Sequence, residues 1–126
     1  MPVTQPWGPV EIEVKMAQVI EAQDDAVAEM KALGEAFATK RRDYEKLKNR
    51  TLLSLVGDPN YKTDALRLAK ATLEAADARY EKDLAEGAWN TQREVVKVLI
   101  SQADTLRSLA RSSRDVLDDA GFGGRR

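Results

Sequence analysis

Cysteine and histidine are both absent from the 126-residue chain. Without them there is no disulfide, no thiolate nucleophile, no imidazole acid or base, and none of the ligands most zinc sites use. Only carboxylate, lysine, serine and tyrosine chemistry is left. No nucleophile–base pair or phosphate-cradling loop can be assembled from it, so no enzymatic activity, cofactor or metal is expected. Aromatic residues make up only 6% of the chain, too few for a thick globular core. No apolar run approaches membrane-spanning length. Residues 1–8 carry Trp7, Pro2 and Pro6 but no basic cluster, so a secretory leader is not expected either, and a cytoplasmic protein is the default reading. A net charge of −1 leaves no global field to draw in nucleic acid or anionic lipid, so such binding needs a local patch.

What the chain has is charge and helix formers. Charged residues are 33% of it, interleaved with Ala and Leu, which is the balance of long amphipathic helices. Helix-stop and helix-start signals meet at one interior stretch. There Gly57 suits a left-handed position after a helix end, Pro59 cannot continue that helix, and Thr63 with Asp64 caps the next one. The fold read from this is all-α, a long antiparallel helical hairpin of coiled-coil type over residues 9–120, with its turn at 57–63. An irregular arm precedes it at 1–8 and a disordered Gly-rich tail follows at 121–126.

On the first arm Met16, Val19, Gln23, Ala26, Met30, Leu33, Phe37, Lys40, Tyr44, Leu47 and Thr51 alternate threes and fours, a seven-residue repeat. The second arm offers Leu66, Ala69, Leu73, Ala76 and Tyr80. Its phase then slips near Gly87 and resumes as Val95, Leu99, Gln102, Leu106, Leu109, Ser113 and Val116. A reversal centred near Asn60 sets Gly34 against Gly87, Leu47 against Leu73, and Tyr44 against Ala76. The rival is a three-helix bundle, because Thr91-Gln92-Arg93-Glu94 matches a capping box and the second arm could break between Gly87 and Asn90.

Two surfaces stand out. Trp89, Val95, Val96, Val98, Leu99 and Ile100 are apolar almost all the way round a helix, and Ile12, Val14, Val19 and Ile20 fall at the same end of the hairpin. One seam cannot bury all of them, which predicts a homodimer, with the same face open to a protein partner. The competing reading is that Trp7 and the N-terminal arm fold over them. At the turn end Lys40, Arg41, Arg42, Lys46, Lys48 and Arg50 outnumber Asp43 and Glu45, while residues 11–35 hold seven acids against two lysines. Arg42, Lys46 and Arg50 recur every fourth residue, with Lys62, Arg67 and Lys70 across the turn, and could grip phosphates. A solvated helix face with local ion pairs is the favoured account, since no groove-reading motif accompanies the cations.

From Leu47 to Val116 the chain carries Ala76-Asp77-Ala78-Arg79-Tyr80-Glu81-Lys82-Asp83-Leu84-Ala85-Glu86-Gly87 and Asp104-Thr105-Leu106-Arg107-Ser108-Leu109. In these it resembles short, mostly uncharacterised two-helix proteins of actinobacterial phages. The resemblance implies a setting among early genes for DNA replication and recombination, in the host cytoplasm, and carries over no functional residue. Secreted Trp-x-Gly hairpins fit poorly: the turn has no tryptophan, and Leu84 stands where their acidic residue would follow Tyr80. The function read from the sequence is thus a non-enzymatic helical adaptor, with direct nucleic-acid binding through the basic turn end as the alternative.

Overall fold

The structure is a computed structural model and describes residues 8–122. These form α1 (Pro9–Ser54), α2 (Asp64–Glu74) and α3 (Ala76–Phe122), with no strand among the described residues, so the expected all-α class holds. Trp7 and the last four residues lie outside the described part, and with them the expected N-terminal cover and most of the expected tail. Helix α3 runs through Gly121 to Phe122 rather than stopping at the glycine.

Local chemistry explains where the helices begin and end. Pro9 occupies the first position of α1, where a missing N–H costs nothing, and the Gly8 carbonyl accepts from the Ile12 N–H at 3.1 Å. After Ser54 the backbone tightens through Leu55 and reverses at Gly57, whose φ of 85° is open to glycine at no steric cost. The Asp58 carboxylate then accepts from the Asn60 N–H at 2.9 Å, an Asx turn that replaces lost helical bonds. Thr63 caps α2, its hydroxyl accepting from the Leu66 N–H at 3.2 Å, and Asp64 follows in the first turn, where the helix dipole favours a negative charge.

The second arm is interrupted at Ala75, not at Gly87. Ala75 has φ −94° and ψ 8°, yet its N–H still donates to the Ala71 carbonyl at 3.0 Å and its carbonyl accepts from Arg79 at 2.9 Å. The ladder is bent there but hardly opened. From Ala76 onward α3 passes through Gly87 and Asn90 unbroken, so the capping box at Thr91 is not used to start a helix.

The chain divides into two compact units. The terminal unit comprises the residues up to Ala28 and from Glu94 onward; the turn unit is Glu29–Arg93. In the terminal unit the start of α1 and the end of α3 pair antiparallel, with Val19 packed against Ala103 and Leu106, and Met16 beside them. In the turn unit the contacts descend along α3 as they ascend along α1: Gly34 and Phe37 meet Trp89, and Tyr44 meets Lys82.

The α1 stripe is the one the spacing indicates, except that Lys40 is exposed. The α3 stripe is so only in part: Leu99, Leu106 and Ser113 are sheltered, whereas Val95, Gln102, Leu109 and Val116 are exposed. In the turn unit the sheltered positions of the second arm are Arg67, Lys70, Ala71, Thr72, Ala75, Ala78, Lys82, Ala85, Trp89 and Gln92; in the terminal unit those of α3 are Val96, Leu99, Ala103, Leu106, Ala110 and Ser113. From Ala75 onward these alternate threes and fours with no slip at Gly87. Leu66, Ala69, Leu73, Ala76 and Tyr80 all face solvent instead, Leu73 at 70% exposure, so the expected match of Leu47 with Leu73 is not made. The physical reason is size. In the turn unit α1 brings Phe37, Tyr44 and Leu47 to the seam, and a close-packed interior fills best when small residues oppose large ones. Alanines therefore hold the opposite side, and Lys82 joins them by laying its aliphatic stem along the seam with its ammonium 5.2 Å from the centre of the Tyr44 ring.

Candidate interaction surface

In the turn unit the seam carries one specific cluster. The Phe37 and Trp89 rings stack with centroids 5.6 Å apart and planes 28° from parallel. Each ring is also faced by a guanidinium one turn further along its own helix: Arg41 lies 5.5 Å from the Phe37 centroid and Arg93 4.9 Å from that of Trp89. Gly34 makes room for this, since a Cβ there would stand 3.0 Å from the Trp89 indole nitrogen. Gly34 thus meets Trp89 and not Gly87, and a Cβ on Gly87 would touch nothing within 4 Å. Trp89 is therefore drawn into the seam of its own unit. The stacked cluster was missed from the sequence, although two signals for it were present: Phe37 with Arg41 and Trp89 with Arg93, each at the spacing that brings side chains together on a helix.

The six cations expected to form a phosphate-binding patch divide into two groups. Arg42, Lys46, Arg50 and Lys62 are exposed. Arg67 and Lys70 are half-buried and tied to local acceptors. Arg67 donates to the Tyr61 carbonyl at 2.9 Å and pairs with Asp64, and the Lys70 ammonium lies 2.8 Å from the Glu74 carboxylate. The hydrogen bond and the charge of Glu74 hold Lys70 above the usual lysine range, with a smaller contribution from Tyr61. These two cations spend their charge on neighbours one turn away, as the solvated-face reading expects. The exposed line of Arg42, Lys46 and Arg50 is what would remain for a phosphate backbone.

The terminal unit holds most of the residues expected to face a partner, and the structure sorts them. Ile12, Val19 and Val96 are buried in the unit's own seam and cannot serve as an outward face. Leu99 is half-buried. Ile20, Val95, Val98 and Ile100 remain more than two-fifths exposed. Val10, Val14, Val27, Leu109, Val116 and Leu117 are exposed as well, so this unit shows ten large apolar side chains to solvent against six buried hydrophobic residues. Two hollows of about 620 and 420 Å³ open on it; Leu109 lines both, Ile12 the first, and Val19 and Leu106 the second.

Among the described residues no three carboxylates gather as they would around a metal ion, and no helix is long and apolar enough to cross a membrane. No protein-family model, no curated protein and no solved structure matches the chain.

Proposed function

We propose that this chain is a non-enzymatic helical interaction module that self-associates and presents the apolar side of its terminal unit to a protein partner. One observation carries the reading: among the described residues seventeen large hydrophobic side chains are exposed, while only ten hydrophobic residues are buried, four of them alanines. Moving exposed apolar surface out of water against another chain is favourable by roughly 25 cal/mol per Å², which supports self-association through this side. Sedimentation over a range of concentrations tests this, with a dimer or larger assembly expected. The setting we propose is the one implied by the likeness to small phage proteins, an accessory role beside DNA recombination or replication in the host cytoplasm.

A second reading rests on the exposed line of Arg42, Lys46 and Arg50, direct binding to a phosphate backbone. Titration of labelled single- and double-stranded DNA at two salt concentrations discriminates. Binding that falls steeply with salt and is abolished by Arg42→Glu with Lys46→Glu supports it, and no binding at micromolar protein removes it.

A further inference from the structure

We infer that the larger hollow of the terminal unit is filled by the chain's own segment before Gly8, with the Trp7 indole seated on Ile12 and against Leu109, Val116 and Leu117, so that the start of α1 is strapped to the end of α3. This contact is separate from the self-association proposed above, and the test below tells the two apart.

The start of α1 is one half of a recurrent motif. The Gly8 carbonyl accepts the first bond of the helix from the Ile12 N–H at 3.1 Å, which makes Gly8 the cap residue, Glu11 the third helical residue and Ile12 the fourth. A Cβ on Gly8 would stand only 2.6 Å from a Glu11 carboxylate oxygen. That carboxylate is thus folded back over the cap, as the third residue is in a capping box. The companion of the box is a hydrophobic staple, in which the residue before the cap packs on the fourth helical residue and sets the angle at which the chain enters the helix. Those two positions here are Trp7 and Ile12.

The hollow lies where the staple closes. Gly8, Pro9 and Ile12 line it from α1 and Leu109, Val116 and Leu117 from α3, around a volume of about 620 Å³. Ile12 is only 2% exposed, whereas the three α3 side chains stand 44%, 64% and 53% exposed and gain most from a cover. An indole supplies a large apolar body, and the hydroxyls of Ser112 and Ser113, which also line the hollow, are acceptors for its N–H.

Attachment favours this occupant over a free one. Trp7 is joined directly to Gly8, a lining residue, so its effective concentration at the hollow is on the order of millimolar. Pro6 and Pro9 on either side restrict the backbone conformations that ordering has to remove. The strap is also short. Val98, which lines the second hollow, lies about 16 Å along α3 from Leu109, out of reach of an indole held beside Gly8. The second hollow is left open, and the first is closed to any partner that does not displace Trp7.

The full chain provides the test. Trp89→Phe keeps a ring in the stack and leaves Trp7 as the sole tryptophan. Its fluorescence is expected to be shielded from iodide, equally so at every protein concentration, and Leu117→Glu in the same background is expected to expose it by placing a charge in the hollow's wall. In the chain with Trp89 intact, Trp7→Ser is expected to speed amide exchange at Leu109 and Ser113 at least about tenfold, and Trp7→Phe to restore most of the protection. Iodide quenching as fast as that of a free indole, or exchange on α3 unmoved by Trp7→Ser, overturns the inference. Shielding that grows only as the protein is concentrated puts a second chain over Trp7; it overturns the inference too and leaves self-association intact.

Discussion

At residue scale the two mid-helix glycines behave oppositely. Nothing lies near a Cβ added to Gly87, so Gly87→Ala gains helix propensity freely and is expected to stabilise the fold by about 0.5–1 kcal/mol. The same change at Gly34 presses on an indole held between Phe37 and Arg93, and is expected to lose that gain and destabilise. Thermal unfolding of the two variants side by side checks this; equal gains would mean that Trp89 is not fixed where the stack places it. Lys70 gives a second test. Its raised pKa means that its pair with Glu74 contributes stability fully below the ordinary lysine value near 10.4 and loses it as pH climbs through the raised one. Glu74→Gln should return the Lys70 pKa towards the ordinary range, read by NMR titration of its side chain; an unmoved value would place the cause elsewhere. At this scale the sequence was legible wherever the chemistry is local. Gly57 and Thr63 do what their residue types suggest, because turn and cap preferences act over three or four residues. The partner of Gly34 was not legible, since it depends on register, and the expected opposition to Gly87 fell two residues short of Trp89.

At the scale of elements, α1 could be read from spacing because its sheltered positions are large: Met16, Met30, Phe37, Tyr44 and Leu47 mark one face. The second arm misleads for the complementary reason. Its sheltered positions include Ala71, Ala75, Ala78 and Ala85, with Lys82 entering by its stem, while Leu66, Leu73 and Tyr80 point outward. Hydropathy weighs a leucine over an alanine, so the stripe drawn through Leu66, Leu73 and Tyr80 landed on the exposed side, and joining it to Leu99 and Leu106, which the seam does take, needed a phase slip that α3 does not have. Two predictions belong here. Thr63→Ala removes the hydroxyl that caps α2 and should cost about 1 kcal/mol, with faster amide exchange at Leu66. Unchanged exchange there would show the cap to be idle. Phe37→Ala, which empties a buried seam position and unstacks Trp89, should cost about 3 kcal/mol in chemical denaturation; a loss below about 1 kcal/mol would contradict the packing described for the turn unit.

At the scale of the molecule, the apolar residues outnumber the places the chain has to bury them. The sequence showed this in outline, as too many valines and isoleucines for one seam, but it could not say which of them the seam would take. Ile12, Val19 and Val96 went inside, Trp89 joined the stack in the turn unit, and Val95, Val98 and Ile100 stayed out. The most direct measurement is sedimentation equilibrium of the unmodified chain across micromolar concentrations. The account predicts a mass of at least twice the 14.0 kDa of one chain; a fully helical monomer that persists at the highest concentration would contradict it.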